Sequence, residues 1–148
     1  MQKSILVILS IMTLVFASGC GNKIKTYPVT GKITYKGEPL VGASVAFSPK
    51  VEGQGLPALG VTDSNGVYKL QTEKGRPYGG TTPGEYIVKV SKTEIVKTGR
   101  KVPGASGEPQ EETRSVSSLP DKYASGSLTP LKFTVEKKAN TYDITIED

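Results

Sequence analysis

Short runs of alternating apolar and polar residues, separated by Gly, Pro and Asn, dominate this sequence from Tyr27 onward. A period of two places one set of side chains on one face of a strand, whereas a helix needs a period near 3.6. No stretch of this part of the sequence keeps the helical period. The pattern therefore predicts an all-β fold.

Seven short runs carry the pattern, and in all but the run from Ala58 to Thr62 the main apolar residues share one parity. They are VTGKITYKG from Val29, ASVAFS from Ala43, the run from Ala58 to Thr62, GVYKLQT from Gly66, GEYIVKVSK from Gly84, LKFTVEK from Leu131 and TYDITIED from Thr141. Strands with one apolar face bury that face when two sheets pack together. We therefore expect a seven-stranded antiparallel β-sandwich.

The sequence Asp63-Ser64-Asn65-Gly66 joins the third and fourth runs. Asp accepts backbone hydrogen bonds, and Asn and Gly tolerate positive φ, so this sequence predicts a tight turn. D-x-N-G also begins calcium loops, but no acidic residue stands at the twelfth position. We expect a turn here and no metal site.

Residues 92–129 carry no periodic run and are rich in Ser, Gly, Pro and Glu. We expect one long loop before the last two strands, basic around Arg100 and Lys101 and acidic further on. Loops of this length are uncommon in compact domains and often carry function. Two interpretations stay open: a binding loop with Arg100 and Lys101 as candidate contacts, or an insertion without a partner.

The amino terminus predicts export. Lys3 precedes a twelve-residue apolar run from Ile5 to Phe16, and small residues follow before Cys20, as in a secretory signal peptide. Twelve residues fall short of the roughly 20 that span a bilayer. We therefore predict a signal peptide over 1–19 and not a transmembrane anchor.

Cys20 is the only cysteine, and an unpaired thiol is a liability in an oxidising compartment. The segment Ala17-Ser18-Gly19-Cys20 resembles the bacterial lipobox, although Leu is usual in place of Ala17. The resemblance implies cleavage before Cys20 and stable membrane anchoring by two or three acyl chains, such as palmitate, on that residue. The alternative is ordinary secretion with a free thiol.

The predicted organisation continues with a tether over 20–26 and a single domain over 27–148. Gly21 and Asn22 follow the cysteine, in place of the Asp that retains lipoproteins at the inner membrane of some bacteria. This favours the outer membrane, with the domain on its periplasmic or surface face.

Composition excludes several kinds of chemistry. The chain has no His, so it has no Ser-His-Asp triad, no imidazole base and no HExxH zinc site. Its Lys and Arg residues form no stripe interleaved with aromatic residues, which argues against nucleic acid binding. A hydrolase that uses carboxylates alone would need a rigid acidic pair, and Glu111 and Glu112 lie side by side in the expected loop. We predict no cofactor.

The order and spacing of the strand and turn sequences resemble the carboxypeptidase regulatory-like (transthyretin-like, prealbumin-type) domains of small bacterial lipoproteins. Segments 29–49, 60–72, 83–92 and 119–146 carry the resemblance. It implies an antiparallel Greek-key sandwich of seven strands. It implies no peptidase activity, because that activity belongs to a separate zinc-bearing domain whose His ligands this chain lacks.

These observations favour a non-enzymatic envelope lipoprotein whose sandwich is a structural or interaction module, with an envelope protein or polysaccharide as partner. The alternative is a carbohydrate-binding module in which an exposed tyrosine, Tyr78 or Tyr123, stacks on sugar rings. The absence of Trp, the best stacking platform, counts against that alternative.

Overall fold

The computed structural model describes residues 24–73, 75, 77 and 79–148 of the chain. The predicted signal peptide, Cys20 and Tyr78 lie outside the described residues. The strands are β1 (Val29–Tyr35), β2 (Glu38–Pro39), β3 (Ser44–Pro49), β4 (Ala58–Val61), β5 (Val67–Lys69), β6 (Gly84–Ser91), β7 (Thr93–Pro103), β8 (Pro109–Ser117), β9 (Lys132–Val135), β10 (Asn140–Thr141) and β11 (Ile144–Ile146). A short helix, α1 (Asp121–Ala124), lies between β8 and β9.

Two sheets pack face to face around the core. Sheet A is built on β1, which pairs in parallel with β10 and β11 and antiparallel with β5 and β2. Sheet B has the strand order β4-β3-β6-β9, and all its pairs are antiparallel. β7 and β8 form a separate two-stranded hairpin.

The prediction of an all-β fold is confirmed. All seven alternating runs form strands, and in six of them the apolar parity faces the interior, whereas Leu59 and Val61 of the run from Ala58 to Thr62 are exposed. The buried residues of these runs include Val29, Ile33, Val45, Phe47, Tyr68, Leu70, Tyr86, Val88, Val90, Val135, Ile144 and Ile146. Phe47 joins the two sheets, because its ring lies 6.4 Å from that of Tyr68 and 6.0 Å from that of Tyr86.

The parallel pairing of the C-terminal run with β1 differs from the antiparallel prediction. The chain crosses from sheet B to sheet A between β9 and β10, and the side chain of Asn140 fixes this crossing. Its amide oxygen accepts the Glu136 N–H at 3.0 Å, and its amide nitrogen donates to the carbonyl oxygens of Glu136 at 3.2 Å and Lys138 at 2.6 Å. A strand that reaches a sheet by a crossover connection can run parallel to its neighbour, whereas two strands joined by a hairpin must be antiparallel.

Tyr68 ties the two sides of β1 together. It lies opposite Gly31, and its hydroxyl donates a hydrogen bond of 2.8 Å to the Tyr142 carbonyl oxygen on the other side of β1. A Cβ on Gly31 would lie 1.9 Å from that oxygen and 3.0 Å from the Tyr68 ring. Burial raises the pKa of Tyr68, and the nearby Asp143 carboxylate adds to this effect, so the hydroxyl remains a donor.

The prediction of one long loop over 92–129 is wrong for most of that segment, because β7, β8 and α1 lie within it. The alternation rule missed β7 and β8 for a physical reason. No residue of either strand is buried, so neither strand needs an apolar face. β-branched residues and cross-strand pairs stabilise this hairpin instead.

The Asp63 side chain organises the predicted turn between β4 and β5. Its Oδ1 accepts the N–H groups of Asn65 and Val67, both at 2.9 Å, and Gly66 has a φ of 74°. These backbone hydrogen bonds hold the pKa of Asp63 below its ordinary value of 3.8. The structure therefore supports the turn interpretation of this sequence.

Replacing Gly31 by Ala is expected to lower the free energy of unfolding by at least about 2 kcal/mol, because the new methyl group displaces Tyr142 or the Tyr68 ring. The control is Gly126→Ala, whose Cβ would meet no atom closer than 3.8 Å, and which should change stability by less than about 0.5 kcal/mol. Urea unfolding curves measure both. Equal stability of the two variants would contradict the close approach at Gly31.

Asp63→Asn is expected to reduce the loss of stability in acid. The folded-state pKa of Asp63 is depressed, so its contribution is present above 3.8 and disappears as pH falls through the folded pKa. Asn keeps the acceptor oxygen but cannot titrate. The urea midpoint should therefore fall less for Asp63→Asn than for the parent chain between about pH 5 and about pH 2.5. Identical falls would show that the backbone hydrogen bonds do not depend on the charge.

Candidate interaction site

The hairpin of β7 and β8 extends from the sandwich, and we call residues 93–117 the arm. Its two strands pair with each other and make few contacts with the rest of the domain. They have 11 and 9 residues, and a strand of this length extends about 30 Å. The backbone N–H and C=O groups along both outer edges are therefore available to a partner strand.

Hydrogen bonds fix the base of the arm to the end of β6. The Ser118 N–H donates to the Lys92 carbonyl oxygen at 2.9 Å, and Leu119 is buried directly after it. The Lys92 ammonium lies 3.2 Å from the Glu94 carboxylate and holds the pKa of Glu94 below its usual range. The Ser117 hydroxyl donates to the Leu119 carbonyl oxygen at 3.0 Å. The first residue pair of the arm is thus positioned by the core.

A bulge interrupts the middle of the arm. Three residues of β7, Thr98 to Arg100, stand opposite Glu112 alone, and Gly99 adopts a φ of 75°. The Glu112 carboxylate accepts hydrogen bonds from the Thr98 hydroxyl at 3.0 Å and from the Arg100 guanidinium at 3.1 Å. Bulges of this kind bend and twist a strand. Glu112 therefore sets the shape of the arm halfway along its length.

The predicted contacts Arg100 and Lys101 both lie on β7, in the arm. Arg100 is bound to Glu112, while Lys101 is exposed and forms no ion pair in the described part of the chain. Lys101 stands across from Glu111, whose carboxylate lies 2.9 Å from the Lys97 ammonium. Of the two residues, Lys101 has the more available charge.

Sequence reasoning missed the aliphatic side chains of the arm. Ile95 is 75% exposed and Val96 is 39% exposed, and as neighbours on a strand they point to opposite faces. Strand register places Val102 and Val116 on the same face as Val96. A cluster of β-branched residues before Gly99 is the signal that could have revealed this strand.

The carboxylate pair Glu111 and Glu112 is not arranged for catalysis. Successive residues of a strand point to opposite faces, and each of these two carboxylates is bound to a different cation, Lys97 and Arg100 respectively. Two carboxylates must flank one bond to hydrolyse a glycoside. This pair does not meet that requirement.

The proposed sugar platform at Tyr123 is wrong, because Tyr123 is only 5% exposed. Its hydroxyl accepts the Glu147 N–H at 3.1 Å, and the Lys122 ammonium lies 5.1 Å from its ring centre. Tyr123 therefore holds the end of the C-terminal segment and cannot stack on a sugar. The other candidate, Tyr78, and the lipid attachment residue Cys20 are outside the described residues.

A groove of about 420 Å³ lies at the end of the sandwich away from the arm, beside Gly84 at the start of β6. Ile24 and Val51, which are 53% and 50% exposed, line it together with the ion pair of Lys50 and Glu85.

Across 24–73, 75, 77 and 79–148, no three His, Cys, Asp or Glu side chains are grouped to hold a metal ion. Within those same ranges, no helix has the length and apolar character to cross a bilayer.

No protein-family model matches the chain, and no curated protein matches it. Among solved structures, the chain is similar to a 9R-lipoxygenase from Cyanothece, with 14% identity and a TM-score of 0.39, over 97% of this chain and 20% of that one. It is also similar to a DUF3823 family protein from Parabacteroides merdae, with 12% identity and a TM-score of 0.35, over 81% of this chain and 45% of that one. The chain thus spans less than half of either protein. At these TM-scores, neither likeness assigns a family or an activity.

Removing the Glu112 side chain is expected to loosen the arm without destabilising the sandwich. In Glu112→Ala, amide hydrogen exchange over 97–101 should accelerate roughly five-fold, equivalent to about 1 kcal/mol of lost hydrogen bonding. The urea midpoint should stay unchanged, because the arm is not packed on the core. Glu111→Ala, which breaks one exposed ion pair, is the control and should leave exchange at the bulge nearly unchanged. A lower urea midpoint for Glu112→Ala would show that the arm and core unfold together.

Proposed function

We propose that the chain is a non-enzymatic, lipid-anchored lipoprotein of the bacterial cell envelope, whose β-sandwich meets a partner through the arm. The arm itself is the observation that supports this most directly, since its strands bury no residue in their own domain. Ordering a residue costs roughly 1–2 kcal/mol in backbone entropy, which burial of apolar surface normally offsets. A partner that covers the arm supplies such burial.

In this proposal, residues 1–19 are the signal peptide, Cys20 carries the lipid, and 20–26 form the tether. Residues 27–148 form a carboxypeptidase regulatory-like domain with the Greek-key strand order of the transthyretin-like type. The lipid holds this domain at the outer membrane, within reach of envelope proteins and polysaccharides. The lipobox-like segment 17–20 and the order of the alternating runs support this organisation.

An envelope protein is better supported than a polysaccharide as the partner of the arm. The outer edges of β7 and β8 can each accept an added strand through main-chain hydrogen bonds, and Ile95 and Val96 offer apolar contacts beside them. The polysaccharide alternative relies on an exposed aromatic ring that stacks on a sugar. Every Phe and Tyr that the structure describes is buried or half-buried.

The arm can be removed cleanly, because the Ser118 N–H already bonds to the Lys92 carbonyl oxygen. Replacing 93–117 by Asn-Gly joins these two residues by a two-residue hairpin turn. Crosslinking in intact cells is expected to give a partner adduct with the parent chain and none with the shortened chain. Since no residue of β7 or β8 is buried, the shortened chain should keep the parent's urea midpoint.

The matched control for the deletion is Leu59→Ser, which removes an apolar side chain that is 63% exposed on β4, away from the arm. It should keep the adduct. If the shortened chain forms the adduct as well as the parent does, the arm is not the binding element. If Leu59→Ser loses the adduct and the shortened chain keeps it, the partner binds sheet B instead.

A further inference from the structure

The sandwich has two distinct ends, and β6 runs from one to the other. Gly84, at the start of β6, lines the groove that contains Ile24, and we call this the tether end. Ser91, at the finish of β6, lies beside Ser44 and two residues before the arm. The eight residues of β6 separate the two ends by about 25 Å. The arm therefore begins at the end opposite Ile24.

The chain between Cys20 and Ile24 is too short to let the tether end move far from a lipid on Cys20. Four residues span at most about 14 Å, even when fully extended. Ile24 itself is close to the sandwich, because the Tyr27 N–H donates to the Thr81 carbonyl oxygen at 2.8 Å. If Cys20 is anchored, the tether end lies at the membrane surface.

The loop that carries Val51 is fixed to the core at this end. The Leu56 N–H donates to the Thr82 hydroxyl at 2.9 Å, and the Leu56 carbonyl oxygen accepts the Thr81 hydroxyl at 2.5 Å. The hydroxyls of Thr81 and Thr82 also bond to the buried Tyr86 hydroxyl, at 3.0 and 2.9 Å. The apolar side chain of Val51 is half exposed on this loop.

The two charged residues that line the groove neutralise each other, because the Lys50 ammonium lies 2.8 Å from the Glu85 carboxylate. The groove therefore offers lipid its exposed apolar side chains, Ile24 and Val51, rather than a net charge of its own. Such a contact needs no particular headgroup charge.

We infer that the tether end rests on the bilayer surface, with Ile24 and Val51 inserted among the lipid headgroups, so that the arm begins on the side facing away from the membrane. The inference depends on the proposed lipid at Cys20. It adds a second, non-covalent contact that orients the domain, which a lipid on a short tether alone does not do.

The chain has no Trp, so a single introduced Trp reports on its own surroundings. Val51→Trp places it at the tether end, and Val61→Trp is the matched control on an exposed valine beside Ser44 at the arm end. Each full-length variant is produced in bacteria, extracted with its lipid and reconstituted into phosphatidylcholine vesicles with or without headgroup-level spin-labelled lipid. Cys20→Ser serves as the unanchored reference, and flotation with the vesicles reports anchoring.

Both Trp variants are expected to float with the vesicles. The fluorescence of Val51→Trp should lie at shorter wavelength than that of its Cys20→Ser reference, and spin-labelled lipid should quench it several-fold. The fluorescence of Val61→Trp should not be quenched. Quenching should persist in about 0.5 M salt, where charge interactions are screened within about 4 Å. If both variants float and neither is quenched, the orientation is wrong while the anchor stands. A blue shift without quenching would place another occupant, such as a second copy of the chain, in the groove and overturn the membrane contact. If neither variant floats, the proposed anchor fails, and the orientation fails with it.

Discussion

The hydrogen bond from the Tyr68 hydroxyl to the Tyr142 carbonyl oxygen, made past Gly31, holds the C-terminal segment in sheet A. Within the described part of the chain, β10 and β11 pair with β1 alone, so their place in the sheet depends on that side of β1 staying accessible. The Tyr68 ring also packs against Phe47, which in turn contacts Tyr86 of sheet B. The absence of a side chain on Gly31 therefore allows the C-terminal segment to join sheet A and leaves room for the Tyr68 ring, which packs against Phe47 between the sheets.

The arm is stabilised separately from this core. Its strands depend on cross-strand pairs and on the bulge that Glu112 organises, and its base is the only part held by buried residues. Long exposed edge strands invite unwanted pairing, and proteins limit it with charges and bulges. β7 has both features, since Lys97 and Lys101 supply charges and Gly99 lies in a bulge. The edge is consequently open to a partner that matches its bend and charge, and less open to a flat strand.

The core could be predicted from the sequence because burial imposes a period of two, and the positions from Val29 to Ile146 follow it. The arm could not, since strands that bury nothing are free to place Ile95 and Val96 side by side. The burial of Tyr123 was also hidden, because an irregular segment carries no period from which a buried face can be deduced. The pairing of β10 and β11 with β1 could not be predicted for a third reason. The crossing at Asn140 depends on contacts with Glu136 and not on the alternation of apolar residues.

β6 connects the groove at one end of the sandwich to the arm at the other. Its side chains Tyr86, Val88 and Val90 are fully buried, so the strand cannot shift without disrupting the core. The groove at its first residue and the arm after its last residue are consequently held at a fixed separation of about 25 Å. Beyond the core, Gly99 and the bulge are the point at which the arm can bend. A domain built in this way keeps its two ends at a fixed distance, so the position of one end determines where the arm begins at the other.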